Sequence, residues 1–401
     1  MNASNPTFET RPVLRPVPPT TPLGKQLLAV WAIALAVGLW GVFLRFTQGH
    51  LPAGYGSAVP WGLWIALYFH GVGISGGVFL LGAGGYLLNL PGFRSKFALR
   101  TTIILSFAAI VPAFMGVWFD LGHMDRAAAI FTRPRFTSMM AFNAWMYNAY
   151  MILAVICFLL SLKRESAWLK PLLCLALLFT VLFPSQSGGF FAVVVAKEFW
   201  HTALLPVLFL TSAVTAGSAT LFLVRGLAAP GSPTAIVERD AAMNLLRRVT
   251  IAGVLIYFVL EFAEFSIALW DPSGHSPAVE LVLWGPTWWT FWIVHLLLGG
   301  IVALLLLGSG NRRNWLLGAL LVAICFLSAR LNVLIPGQLT GELLPGLQDA
   351  FAHPRLRFEY QATAMEWAVA LFMLAVALTV FYAGNLVNRY LTARFPNGDA
   401  S

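Results

Sequence analysis

The sequence predicts an all-α integral membrane protein of about ten transmembrane helices, built as two tandem four-helix bundles with one flanking helix at each end. Three observations carry this expectation. Of 401 residues, 59% are hydrophobic and only 10% are charged, with a mean hydropathy of +0.79, whereas a soluble domain carries roughly 25% charged residues. Apolar runs of about 20 residues, the length that crosses a hydrocarbon core of about 30 Å as a helix, recur along the whole chain. Two of these runs resemble each other, which suggests a repeated unit.

The first 25 residues are polar and rich in proline (Pro12, Pro16, Pro18, Pro19, Pro22, with Arg11 and Arg15) and read as a disordered tail. Apolar runs follow near 26–44, 60–89, 101–119, 142–162, 171–195, 203–224, 249–270, 285–308, 314–329 and 367–388. The first is too long for the core of a signal peptide and is followed by no small-residue cleavage motif, so it reads as a retained span. The fifth contains Pro184-Ser185-Gln186-Ser187-Gly188-Gly189, and the stretch from there to Trp200 is expected to be interfacial or re-entrant. Broken backbone at depth is tolerated only against protein or a wet cavity. The seventh is apolar apart from Glu261 and Glu264.

The resembling runs are the second, from His70 through Gly73, Gly76 and Gly77 to Leu81, and the sixth, from Leu210 through Ala213, Ala216 and Gly217 to Leu221. Small residues at these spacings let helices approach closely in lipid. The implied unit is four helices, giving a first bundle over 60–197 and a second over 198–335. The remaining divisions are a tail (1–25), a first span with its outer loop (26–59), an outer loop (336–363), a last span (364–390) and a closing tail (391–401). The outer stretches 120–141 and 331–363 are the longest connections, and 341–347 either begins a surface helix or simply connects.

The net charge of +9 does not indicate nucleic acid, because the basic residues sit in short clusters between apolar runs. Of the 25 Lys and Arg residues, 17 fall on the side of the termini, among them Arg94, Lys96, Arg100, Lys163, Arg164, Arg247, Arg248, Arg312 and Arg313. The other eight are Arg45, Arg126, Arg133, Arg135, Lys197, Arg330, Arg355 and Arg357. This bias places both termini in the cytoplasm, in a bacterial inner membrane. Cys157, Cys174 and Cys325 each lie within an apolar run, and no CxxC or CxxCH occurs. A thiolate-held iron–sulfur cluster and a c-type haem are therefore not expected in this chain.

Ionisable groups in a bilayer are expensive and are functional candidates by default. Here they are His70, Asp120, His123, His201, Glu261, Glu264, His295 and Glu366, and all fall in the outer half of the membrane or at its outer edge. His70 lies about ten residues into its span, roughly 15 Å along a helix. Glu261 and Glu264 share a helix face, and two such carboxylates would not both stay ionised, which suits proton transfer to or from a redox carrier. His70 and His295 admit three readings: ligands of a b-type haem, members of a quinone or proton path, or hydrogen-bonded core residues. Asp120, His123 and Arg126, followed by Arg133 and Arg135, put charges at the outer mouth, where they hold a polar headgroup or dock a protein. Trp61, Trp64 and Tyr68 either flank an aromatic ring or anchor the aromatic belt.

Pro60-Trp61-Gly62-Leu63-Trp64, the Asp120-Leu121-Gly122 turn, Ser138-Met139-Met140, Leu204-Leu205-Pro206-Val207-Leu208-Phe209 and Arg330-Leu331-Asn332-Val333 together resemble the NrfD/PsrC family, and most closely its longer ten-helix members of the HybB and DsrP type. The likeness runs over residues 26–390. It implies a haem-free subunit of a respiratory redox complex that reacts with menaquinone or ubiquinone. Such a subunit anchors a periplasmic iron–sulfur protein, which links it to a molybdopterin enzyme, a hydrogenase or a multihaem cytochrome. The family's fold is two four-helix bundles, and its quinone site lies near the periplasmic face. On this reading Trp61, Tyr68, His70, Asp120 and His123 surround the quinone, Arg126 helps position the partner, and Glu261, Glu264 and His295 form a second proton route. One departure stands out: where longer members carry a His-Gln-Ser segment after the fifth span, this chain has Pro184-Ser185-Gln186-Ser187. Two other classes compete, a haem-bearing cytochrome b and a secondary transporter, which also uses buried carboxylates and repeats.

Overall fold

The computed structural model describes residues 21–228, 233–270, 276–340 and 358–395. Most of the expected N-terminal tail, the 341–347 segment, His275, His353, Arg355 and Arg357 lie outside these residues. The described residues contain no β-strand, and ten helical spans among them are long and apolar enough to cross a bilayer. The spans are α1 (Pro22–Gln48), α2 (Leu63–Leu87), α3 (Lys96–Asp120), α5 (Met139–Leu160), α6 (Leu169–Ala192), α7 (Leu205–Leu227), α8 (Pro233–Trp270), a π-helix (Thr290–Val302) that continues as α10 (Ala303–Gly308), α11 (Arg312–Cys325) with α12 (Leu327–Leu339), and α13 (Ala364–Arg394). Short helices, α4 (Ala129–Thr132) and α9 (Ser276–Trp284), lie in the connections. The protein is an all-α, multi-pass integral membrane protein. Ten crossings put Thr21 and Arg394 on one face, called proximal below; the loops after α1, α3 and α6 lie on the opposite, distal face.

The helix at each end of the chain pairs with the other. α1 packs along α13, and α13 along α3. Gly38 and Gly41 let α1 seat against Phe372 and Ala368, and Trp31 Nε1 donates to Thr379 Oγ1 at 2.9 Å. At the proximal end Arg100 of α3 is buried and donates to Asn388 Oδ1 (2.7 Å), the Ser161 carbonyl (3.1 Å) and Thr392 Oγ1 (2.9 Å). One cation thereby ties α3 and α13 to the end of α5.

α2 packs against α3 and α6 and also against α7, which in turn packs against α8 and α11. The two segments that resemble each other in sequence thus meet in space. A Cβ on Gly217 would come within 2.6 Å of Gly77 Cα, so only glycine fits this crossing. Small residues at a helix crossing are the usual device in lipid, where burying apolar surface drives nothing.

Three spans differ from the sequence expectation. The fifth is not re-entrant: α6 runs unbroken through Pro184 to Ala192. Pro184 seats against Gly76, Gly188 lies against the Leu205 carbonyl and Pro206, and Ser187 Oγ donates to the Phe183 carbonyl at 2.8 Å, so neighbouring helices support the irregular turn. The seventh is far longer than expected. At 38 residues α8 spans about 57 Å, and its proximal end binds the loop before α3, where Glu238 accepts from the Gly92 amide, and Arg312, through Asp240. The ninth does not stop before Arg330 but turns at Phe326 and continues to Leu339. Arg330 is 4% exposed and belongs to the interior rather than to a loop.

Candidate functional site

α3 ends at Asp120, on the distal side. The last carbonyls of a helix lack intrahelical donors, and here they are met by Arg45 of α1, which donates from Nε to the Phe119 carbonyl and from Nη2 to the Leu121 carbonyl, both at 2.7 Å. The positive charge also suits the helix C-terminus. His50 Nε2 lies 3.3 Å from the same Phe119 carbonyl. Burial, and then the charge of Arg45, push the His50 pKa below its ordinary value, so this ring is neutral at pH 7.

Tyr55, from the loop after α1, stands beside Asp120. Its ring meets Trp64 edge-on at 5.7 Å, stacks on Tyr360 at 6.2 Å and lies 5.5 Å from His50. Behind this aromatic layer is Glu366 in the first turn of α13, with 0% exposure. Its Oε1 accepts from the Tyr360 hydroxyl at 2.5 Å. Its Oε2 accepts from the amides of Gly54 (2.9 Å) and Thr363 (3.0 Å) and from Thr363 Oγ1 (3.2 Å). This is a capping box enlarged to hold a loop. Tyr360 Oη accepts from the Leu63 amide at 2.6 Å, and Trp64 Nε1 donates to the Glu366 carbonyl at 3.0 Å. Groups from α1, α2, α3, α13 and two loops thus converge on one buried centre.

Two atoms in it are left over. Tyr55 Oη and Asp120 Oδ1 are buried and neither completes a hydrogen bond of normal geometry with a described residue, although the two side chains face each other closely enough for the phenol and the carboxyl to interact. Leaving a buried polar group unpaired costs about 1–3 kcal/mol, and each such group in a native structure needs a reason. Burial, followed by the charges of Asp120 and Glu366, holds the Tyr55 pKa well above its ordinary value, and burial with Glu366 does the same for Tyr360. Both phenols are therefore protonated throughout the physiological range. The centre offers a fixed O–H donor, a carboxylate with a vacant lone pair and aromatic walls, a set that fits a planar molecule whose oxygens gain and lose protons.

A second centre lies between α8, the π-helix and α12. His295 of the π-helix is 0% exposed; its Nε2 lies 3.1 Å from Glu261 Oε2 and its Nδ1 3.1 Å from Ser328 Oγ. Tyr257 donates to Glu261 Oε1 at 3.3 Å, and Phe258, Phe291 and Phe326 enclose the imidazole. π-helical turns are rare and cluster at functional sites.

The remaining candidates are dispersed. Tyr68 donates to Tyr147 Oη at 3.0 Å, and Tyr147 bonds Ser187 Oγ at 2.9 Å, linking α2, α5 and α6. His70 Nε2 donates to the Ala323 carbonyl at 2.8 Å and ties α2 to α11. Trp61 stacks on Trp200 at 6.5 Å and is held through its backbone by Gln338. Glu264 accepts from Thr202 at 3.3 Å, away from the His295 centre. His123 and Arg126 are exposed at the distal surface, with His123 Nδ1 3.9 Å from Asp125. The fold thus joins Glu261 to His295 but does not bring Tyr68, His70 or His123 to Asp120. Arg45, His50, Tyr55, Tyr360, Tyr257 and Ser328 are further members of the two centres, and no motif in the sequence marks them. Only the Thr363–Glu366 spacing of a capping box is a readable signal for the α13 wall.

A ten-span helical protein with a partly unsatisfied carboxylate centre near one face and a buried Glu–His pair between α8 and the π-helix defines a class of polytopic membrane protein with ionisable groups in its interior. A sequence model described as "Polysulphide reductase, NrfD" matches residues 53–342. The chain belongs to the NrfD family. It is 26% identical to a selenate reductase subunit of Mesobacillus selenatarsenatis, over 90% of this chain and 92% of that one. It is 25% identical to the Hdr-like menaquinol oxidoreductase integral membrane subunit of Archaeoglobus fulgidus, over 89% and 91%. It is also 27% identical to protein NrfD of Escherichia coli, over 71% of this chain and 96% of that one. α1 and α13 lie outside the family match, yet they supply Arg45 and Glu366 to the Asp120 centre.

Proposed function

We propose that this chain is the membrane subunit of an oxidoreductase complex and exchanges electrons and protons with a quinone at the Asp120 centre. The observation that carries the reading is the pair of unsatisfied atoms, Tyr55 Oη and Asp120 Oδ1, at the buried end of α3. Oxidation of a quinol to a quinone releases two electrons and two protons. Tyr55 donates a hydrogen bond to one quinone oxygen, and Asp120 accepts a proton from the quinol hydroxyl and passes it to the distal aqueous face. The second proton leaves to that same face, and the electrons pass to a cluster on a partner subunit; the reverse reaction uses the same groups. Its likeness to a selenate reductase subunit and to a menaquinol oxidoreductase membrane subunit supports both the complex and the quinone.

The Lys and Arg bias assigns the distal face to the periplasm of a bacterial inner membrane, with both termini cytoplasmic. Exposed Arg126, Arg133 and Arg135 on that face suit docking of an iron–sulfur partner, itself bound to a molybdopterin enzyme, hydrogenase or multihaem cytochrome. Glu261 and His295 serve as a separate proton-exchanging pair. The test is quinol-dependent electron transfer by the complex, purified with its partner subunits: the reading requires quinol oxidation that inhibitors of quinone sites block. A complex that turns over with an artificial electron donor but not with menaquinol or ubiquinol would overturn it.

A further inference from the structure

A groove at the proximal face, far from both centres, carries an independent inference. It has a volume of about 570 Å³ and runs between α1, α3, α7 and α13. Its walls are almost wholly apolar, with Leu27, Trp31, Phe97, Val224 and Leu378 among them. The rim residues Leu28, Tyr382 and Leu386 are exposed, so the groove opens on the lipid-facing surface.

Thr101, Thr379 and Asn385 add polar groups to the lining, and its one charged residue is Arg225, in the last turn of α7. It is only 4% exposed, so the protein itself shields it. Its guanidinium lies over the Phe93 ring at 5.1 Å and makes no hydrogen bond or ion pair with a described residue; Glu238 acts on it only from a distance. Its neighbour cations Arg100 and Arg312 are, by contrast, held by several acceptors. An unpaired cation at the end of a span normally reaches for headgroups directly. Arg225 cannot, since the protein covers it, and the groove is the way in for an anion. An apolar slot with a cation at its interfacial end has the chemistry of one acyl chain attached to a phosphate, and basic pockets between transmembrane helices bind anionic headgroups.

We propose that this groove binds one anionic phospholipid, with an acyl chain along α1 and α13 and the phosphate at Arg225. Exposed Lys25, next to the lining residue Gly24, adds to the positive field at the rim. The lipid bridges the α1–α13 pair to the core helices α3 and α7.

The full-length protein, stripped of lipid in mild detergent, is titrated with phosphatidylglycerol and with phosphatidylethanolamine, and bound lipid is read by native mass spectrometry. The expected result is a single tight phosphatidylglycerol, with phosphatidylethanolamine about fivefold weaker. Arg225→Gln removes that preference and Arg225→Lys restores it. Ala383→Phe, at an exposed lining position, lowers binding of both lipids while leaving Arg225 in place, and serves if Arg225→Gln does not fold. Equal binding of the two lipids by the wild type overturns the proposal. So does a phosphatidylglycerol preference that survives Arg225→Gln, binding that survives Ala383→Phe, or a quinone retained in the groove in place of phospholipid.

Discussion

Tyr55 and Asp120 face each other at the buried end of α3, yet neither Tyr55 Oη nor Asp120 Oδ1 completes a hydrogen bond of normal geometry with a described residue. The polar groups around them are well satisfied: Arg45 donates to two carbonyls, and Glu366 accepts from four donors. Tyr55 and Asp120 are the two groups of this centre left with unused hydrogen-bonding capacity.

Tyr55→Phe separates binding from stability. The hydroxyl makes no hydrogen bond of normal geometry and only a weak contact with Asp120, so removing it leaves the melting temperature close to that of the wild type. A net hydrogen bond to substrate is worth about 0.5–1.5 kcal/mol, so the KM for quinol rises by up to about tenfold. Thermal unfolding in detergent and steady-state kinetics of the complex read the two effects separately.

Glu366→Ala has the opposite signature. It strands the Tyr360 hydroxyl and the Gly54 and Thr363 amides, which costs about 1–3 kcal/mol. The thermal midpoint falls, and proteolysis of the loops after α1 and before α13 increases. An unchanged midpoint would show that Glu366 does not hold these loops.

Between α8 and the π-helix, removing one member of the Glu261–His295 pair leaves an uncompensated buried group, at a cost of about 3–5 kcal/mol. Glu261→Leu and His295→Leu are each strongly destabilising, and the double variant costs less than the sum. A double-mutant cycle on thermal stability measures the coupling, and additive effects would rule out the pair.

The α2–α7 crossing predicts a contrast between two glycines on one helix. Gly77→Leu drives its Cβ into the backbone of Ala213 and Gly217 and abolishes the folded yield, whereas a Cβ at Gly84 meets nothing within 4 Å and Gly84→Leu is tolerated. Size-exclusion profiles of the two variants report the difference.

The spans are legible in the sequence because hydropathy over about 20 residues is a strong signal, and the crossing shows there as matched small residues at Gly77 and Gly217. The ninth span reads as too short because a charge, Arg330, ends its apolar run. In the fold that guanidinium is inside, over the Phe209 ring at 3.7 Å and bonded to Ser212. Pro184 misleads in the same way, since much of its compensation comes from close packing against α2 and α7, beside the local Ser187–Phe183 bond. Asp120 stands out as an ionisable group at a helix end. Its neighbours do not: Tyr55 and His50 are ordinary loop residues by sequence, and Glu366 lies far along the chain in the last span. Which charged groups share a pocket depends on helix packing across the whole chain, and local spacing does not encode it.

The role of Asp120 as the proton acceptor is tested most directly by turnover of the complex with quinol after Asp120→Asn, with an artificial electron donor as the control for the partner's own activity. Quinol turnover is expected to fall by about 10²–10⁴-fold, the range for removing a positioned acid–base group, while the artificial-donor rate stays at the wild-type level. Quinol turnover that survives the substitution would contradict that role.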